Sequence, residues 1–345
     1  MTEHKTDVAI IGAGPVGLFA IFECGMMKLK CHVIDSLEMI GGQCAALYPE
    51  KPIYDIPAHP SILAEDLITK LHEQAAPFGP HFHLNVQVVE LQKQESSRFI
   101  LTLSNGEKID AGAVIIAAGV GAFGPKKPPM DHLEDFEAHS VFYYVKKRED
   151  FRGKKIVIAG GGDSALDWAI SLSEVAEKIS LVHRRDKFRA APESVSRMHQ
   201  LVAEGKIDFV VPYQLKSLEG KDGHLSHVVI YDLEGHEKKI EADALLPFFG
   251  LSMKLGPIAD WGLNLEKNHI VIDPASCSTN EPGIFAIGDI CHYPGKMKLI
   301  LCGFSEGAIA AKSAFEYMYP NEVVHFEYST TKGVHAIDEP VVQAG

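Results

Sequence analysis

Two glycine-rich turns, each set between an apolar strand and a helix, constrain this chain more than any other feature. Residues 7–11 (DVAII) read as a strand, residues 12–17 (GAGPVG) as a tight turn, and residues from about 16 to 27 as a helix. A second strand, 31–35 (CHVID), closes on Asp35. The order returns at 155–159 (KIVIA), the turn 160–165 (GGGDSA), a helix from about 165 to 176, and the strand 179–183 (ISLVH). That last strand runs into Arg184 and Arg185 instead of an acid. Short apolar strands alternating with helices make βαβ units and parallel sheets. The predicted fold class is α/β with two Rossmann-like dinucleotide-binding domains, which 345 residues accommodate.

Each unit is followed by antiparallel segments with polar turns, so each half is expected to form three ββα layers. The first set is 85–92, 98–103 and 107–110, turning at Asn105-Gly106. The second is 208–218, 224–232 and 236–241, turning near Asp222-Gly223 and Glu234-Gly235. The sets end in apolar strands at 114–119 and 244–250. Residues 121–135 read as a linker, residues 283–290 (GIFAIGDI) as a further strand, and about 305–318 as a helix before a polar tail.

The turns carry chemistry. Gly12 permits the tight bend, Gly14 lets the backbone approach a pyrophosphate, and Gly17 lets the helix pack on the sheet. The helix start offers free N–H groups and the positive end of a dipole to phosphates. Asp35, about 20 residues on, is placed to accept from a ribose hydroxyl. In the second turn Gly160, Gly162 and Ser164 are the corresponding cofactor-binding candidates, with Ala165 in place of the third glycine. Arg184 and Arg185, joined by Arg189, suit a 2′-phosphate, so NADP is expected over NAD. A solvated basic turn is the competing reading, because Asp186 and Lys187 are also charged.

Composition removes other classes. Lys plus Arg is 33 against 46 Asp plus Glu, a net charge of −13, which argues against general binding to nucleic acid or an anionic membrane. No stretch reaches ~18 apolar residues, so no membrane span is expected. Six cysteines without a C-x-x-C spacing fit a reducing compartment, and the cytoplasm is the expected location. The 17 histidines are scattered without an H-x-x-x-H pair, and Cys291-His292 is a poor chelate, so no metal is expected.

Together GAGPVG, GGQCAALYPEKPIYDIP (41–57), GGGDSALDWA, HRRDKFRA (183–190) and FAIGDI (285–290) resemble the low-molecular-weight thioredoxin reductase branch of flavoproteins, over nearly the whole chain. The resemblance implies FAD on the first unit and NADPH on the second, with the NADPH domain inserted into the FAD domain. It places the FAD domain at 1–120 and 250–345 and the NADPH domain at 121–249. Two departures follow. A thioredoxin reductase carries a C-x-x-C dithiol just before the second fingerprint strand, but residues 136–155 contain no cysteine. A dithiol relay needs two neighbouring thiols, and no distant pair is expected to meet. The chain also continues through HFEYSTTKGVH (325–335). Both features resemble the thioredoxin-reductase-like ferredoxin–NADP⁺ reductases.

That resemblance implies the remaining site residues. Tyr48 and Tyr328 are the catalytic candidates, stacking on the two faces of the flavin ring, with Thr330 and Phe123 nearby. Gln43 joins Asp35 on the adenosine ribose side, the Val88 backbone meets the adenine, and Asp289 takes the ribityl or pyrophosphate side. A helix start at Glu306 to Ala308 is expected to aim N–H groups at the flavin. The competing readings are that Tyr48 packs its proline-rich loop and that Tyr328 is a surface residue of the tail. A stacked Tyr328 blocks the nicotinamide face, which makes the tail a candidate gate, in cis or across a homodimer.

The implied chemistry exchanges a hydride from NADPH with single electrons carried by ferredoxin or flavodoxin, through FAD. The clusters Lys126-Lys127, Lys146-Lys147-Arg148 and Lys154-Lys155 are a candidate landing patch, or simply solvated faces. A diaphorase or oxidase of the same fold is the first alternative, and a slow flavin redox sensor the second.

Overall fold

The strand β1 (Glu3–Ile11) is buried on both faces from Val8 onward, which is why its sequence is continuously apolar there and not alternating. The structure is a computed structural model that describes residues 3–137, 139–322 and 333–337. After β1 come α1 (Pro15–Met26), β2 (Cys31–Ile34), α2 (Ala64–Ala75), β3 (His81–His83), β4 (Val88–Lys93), β5 (Phe99–Leu103) and β6 (Lys108–Ile116). The chain then builds a second unit. It contains β7 (Lys155–Ala159), α3 (Asp163–Leu172), β8 (Lys178–Val182), α4 (Pro192–Ala203), β9 (Ile207–Val210), β10 (Gln214–Lys221), β11 (His224–Tyr231), β12 (Glu237–Glu241) and β13 (Ala244–Pro247). It returns to the first unit with β14 (Ile284–Ala286) and α5 (Ile300–Met318). One unit comprises Met1–Ala122 and Met253–Gly345, the other Phe123–Ser252.

In the first unit the sheet runs β3-β2-β1-β6-β5-β4, and β14 also pairs with β6. β6 performs two tasks. Its first half pairs antiparallel with β5, and its last three residues pair parallel with Ile284–Ala286. The expected strands 107–110 and 114–119 are one continuous strand through Gly112. A Cβ at Gly112 would stand 2.9 Å from Asp7 O, so this glycine serves close approach and not a turn. α1 and α5 pack together through small residues, with Gly307 against Ala20 and Gly303 against Val16.

The second unit has the parallel order β9-β8-β7-β13 and a separate antiparallel sheet β10-β11-β12. The expected strand 208–218 is in fact two, β9 and β10, because Pro212 interrupts the run after Val211. Helices α2 and α4 add to the elements expected from the sequence. α2 buries Leu67, Ile68, Leu71 and Ala75, the spacing of an amphipathic helix.

Candidate functional site

The first glycine turn divides its glycines by purpose. Gly12 sits at φ +113°, and a Cβ there would lie 2.3 Å from Ala117 O. A Cβ at Gly17 would lie 2.0 Å from Gly12 O. Both are dictated by packing inside the protein. Gly14 differs: a Cβ there would meet only Gly42 Cα, at 4.0 Å. Its bare backbone therefore leaves open a cradle at the start of α1, whose first turn has no capping side chain and no acidic residue.

Asp35 closes this turn from the end of β2. Its Oδ2 accepts the Ala13 N–H at 2.7 Å and its Oδ1 accepts the Leu37 N–H at 2.9 Å. Burial raises its pKa, and those backbone donors oppose the rise. Asp35 therefore has a structural task in the turn beside the ribose contact expected of it. The carboxylate first fixes the turn, and its remaining lone pairs are left for a ligand hydroxyl.

A single-turn helix, Gly42–Ala46, completes the wall, tied down by the Gly41 N–H to Ala13 O at 2.8 Å. It carries Gln43, whose amide approaches Gly119, and Cys44, whose Sγ lies 3.8 Å from Tyr48 Oη. Burial pushes the Tyr48 phenol up, assisted by Cys44 and Asp289, so it stays protonated. The same Asp289 charge acts on Cys44, which burial pushes up to about 11. The structure therefore gathers the glycine turn, Asp35, Gln43, Tyr48 and Asp289 within the first unit. Val88 opens β4 opposite Leu103, with its side chain in the core. The Val86 N–H donates to Asp35 O at 3.1 Å, which holds that backbone at the end of β2. Phe123 begins the second unit, and its side chain, like Tyr328 and Thr330, lies outside the described residues.

The expected helix start at Glu306 is corrected. The helix α5 begins six residues earlier, at Ile300, so Glu306 lies within it and offers no free N–H. Its side chain matters instead. Glu306 is buried, and its Oε2 accepts the Gly288 N–H at 2.7 Å. Its Oε1 accepts from Tyr293 Oη at 2.8 Å and pairs with the buried ammonium of Lys296. Glu306 thus anchors the residue next to Asp289. The one charged side chain in the apolar stretch 300–311 was the available signal, because a buried charge demands partners.

The second turn opens onto a cavity of about 570 Å³ lined by Gly160, Gly161, Gly162, His183, Arg184, Arg185, Lys187, Arg189 and Tyr213, among others. The glycine logic recurs. A Cβ at Gly160 would stand 2.7 Å from Phe248 O, and one at Gly161 would strike the His183 ring, but nothing lies within 4 Å of Gly162. Burial lowers the His183 pKa, and Arg184 and Arg185 lower it further. Arg184, Arg185 and Arg189 are exposed and have no ion-pair partner among the described residues. Arg189 is positioned by its N–H to Gly161 O at 2.8 Å. Ser164 is exposed at the start of α3 and does not line the cavity.

All six cysteines are free, and five are buried. Two pairs do meet in the fold, against the sequence expectation. Cys24 lies beside Cys31, and this neighbour together with burial raises the Cys31 thiol well above the ordinary range. Cys277 and Cys291 interact beside Glu306 and are both pushed up to about 12 by burial. Neither environment favours a thiolate, so neither suits a dithiol relay. The basic clusters are partly neutralised: Lys127 pairs with Glu137, Arg148 with Glu174 and Lys155 with Glu241.

The sequence profile of the pyridine nucleotide-disulphide oxidoreductase family matches residues 6–307. A ferredoxin–NADP reductase of Paramagnetospirillum magneticum is 62% identical over 334 residues, covering 97% of this chain and 99% of that one. One from Rhodospirillum rubrum is 60% identical over 339 residues, covering 97% and 98%. The chain belongs to the ferredoxin–NADP reductases of this family. Among solved structures, thioredoxin reductase from Lactococcus lactis is similar at TM-score 0.78 and 25% identity, covering 91% of this chain and 99% of that one. The fold is thioredoxin reductase-like, and the family binds FAD and NADP(H). The residues present fit both groups: each turn leaves its middle glycine open to a ligand, and the second adds unpaired guanidiniums. Among the described residues, no helix is long and apolar enough to cross a membrane.

Proposed function

We propose that the chain catalyses electron exchange between NADPH and ferredoxin, with flavodoxin as a second acceptor, and that it works as a homodimer in the cytoplasm. The observation that carries the reading is the cavity of the second unit, open at Gly162 and edged by three guanidiniums without an ion-pair partner among the described residues. Such an edge suits the extra phosphate of NADP. The start of α3 faces the pyrophosphate, and Arg184, Arg185 and Arg189 hold the 2′-phosphate.

In the first unit the start of α1 receives the FAD pyrophosphate, and Gly14 lets it come close to the backbone. Asp35 and Gln43 hold the adenosine ribose, and Asp289, anchored through Gly288 and Glu306, holds the ribityl side. Tyr48, kept neutral by burial, packs against the ring system without introducing charge. Bound FAD accepts a hydride and gives up its electrons singly, which matches a two-electron donor to a one-electron acceptor. The chain itself needs no proton-transferring residue for that step.

A raised thiol pKa at each cysteine pair and a second unit without cysteine set this chain apart from dithiol reductases. The test is steady-state NADPH oxidation by the purified protein, with ferredoxin or thioredoxin as acceptor. Ferredoxin-dependent turnover without thioredoxin reduction supports the reading. Oxygen or quinone consumption that ferredoxin does not change replaces it with a diaphorase.

A further inference from the structure

We propose that His4, His83 and Glu107 form a site for one divalent transition-metal ion of the zinc class in the first unit, beside the end of β2, where the Asp35 N–H donates to His83 O at 3.0 Å. The sequence hides it, because its ligands come from β1, β3 and the turn between β5 and β6. Strand pairing sets His32 opposite His81, and His83, two residues on, shares their face of the sheet. Ile11 pairs with Ile34, which pairs with His83. A straight β1 would therefore hold His4 about 24 Å from His83, at about 3.4 Å per residue. The two rings are instead 4.9 Å apart, so the start of β1 curls back over that face and carries His4 onto the cluster.

The ligand atoms are spaced for a metal. His83 Nδ1 lies 3.5 Å from Glu107 Oε2, and His4 Nε2 lies 3.8 Å from the same oxygen. His4 Nε2, His83 Nδ1 and the carboxylate oxygen lie within 4.8 Å of one another. A tetrahedral zinc ion with bonds of about 2.0–2.1 Å sets its ligands about 3.3–3.4 Å apart, so modest side-chain rotation closes the site. His4 Nε2 is shielded from solvent and has no hydrogen-bond partner, which a metal bond would satisfy. His83 uses its other nitrogen: Nε2 lies 2.9 Å from His32 Nδ1, the second hydrogen bond that orients a ligating imidazole.

Two imidazole nitrogens and one carboxylate favour zinc or a similar transition-metal ion over calcium or magnesium, which prefer oxygen. The fourth position is left to water. An ion here ties the curled start of β1 and the β5–β6 turn to the edge strand β3, so its expected effect is on stability and not on turnover.

The test uses the tag-free, flavin-loaded full chain, stripped with a chelator and titrated with zinc sulfate. The expected results are one tightly held zinc per chain by elemental analysis and a higher Tm with zinc. His83 is buried, so the decisive variant is placed at the half-exposed positions, His4→Gln with Glu107→Gln. That variant is expected to keep its flavin spectrum and lose both the bound zinc and the Tm rise. His32→Gln is expected to weaken binding by about 10–100-fold. A wild-type chain that holds no zinc, or a double variant that holds as much as wild type, overturns the proposal.

Discussion

The two glycine turns share a backbone device and differ in what surrounds it. Each has a first glycine locked by a carbonyl behind it and a middle glycine that faces open space. In the first unit the flanking acid, Asp35, is bonded into the turn, and a second segment of chain returns with Asp289, anchored through Gly288 by Glu306. In the second unit the flanking residues are arginines whose guanidiniums have no ion-pair partner among the described residues. The first site is built to hold a ligand from several sides and keep it. The second is an open, charged edge suited to a ligand that comes and goes. This division fits a resident flavin and an exchanging nicotinamide nucleotide.

The largest expected effect tests the extra wall of the first site. Lys296→Met leaves Glu306 charged and buried without its cation, which costs about 3–5 kcal/mol of stability in urea unfolding. Adding Glu306→Gln is expected to recover most of that loss, because the uncompensated charge is gone. If the single substitution leaves the unfolding midpoint unchanged, the anchoring of Asp289 is not electrostatic.

The glycines come next, because they separate packing from binding. Gly17→Ala places a carbon 2.0 Å from Gly12 O and is expected to destabilise the chain by about 1–3 kcal/mol. Gly14→Ala meets nothing closer than 4.0 Å, so its Tm without flavin stays near wild type while flavin retention falls. Gly162→Ala is the counterpart: normal flavin content with a raised KM for NADPH. Equal loss of fold in all three variants ends the distinction between locked and open glycines.

Much of this layout is legible in the sequence, and the remainder is not for definite reasons. Val8–Ile11 and Ile156–Ala159 announce themselves because strands buried on both faces are continuously apolar. Asp35 is identifiable from its distance to the turn, but its bond to Ala13 is a tertiary fact. The start of α5 is hidden because it lies among the apolar residues Leu299, Ile300 and Leu301, with no capping side chain to mark it. The histidine cluster and the Cys24–Cys31 contact join residues with no shared period, so no local pattern reports them. Helix α2, by contrast, carries a readable period at Leu67, Ile68, Leu71 and Ala75.

The charged edge of the second site gives the third prediction. Arg184→Ala with Arg185→Ala removes charge-assisted bonds worth about 1.5–3 kcal/mol each to a phosphate. The KM for NADPH is expected to rise about 10–100-fold or more while the KM for NADH hardly moves. If both rise equally, the arginines bind the pyrophosphate and do not discriminate the 2′-phosphate.

The smallest effect concerns the thiols, which again separate the units: all six cysteines belong to the first. A thiol pushed up to about 11, as at Cys44, or to about 12, as at Cys277 and Cys291, carries very little thiolate at pH 8. The sign is fixed by burial, which disfavours the charged form, so reactivity rises only as pH climbs toward those values. Brief alkylation of the native protein at pH 8, read by mass spectrometry, is therefore expected to label the half-buried Cys302 and spare the five buried thiols. Unfolding should expose all six. NADPH should leave the pattern unchanged, because electrons pass through flavin and not through sulfur. Labelling of Cys24 or Cys31 that appears only after NADPH is added would show that this buried pair is a redox disulfide, and the contrast with dithiol reductases would fall.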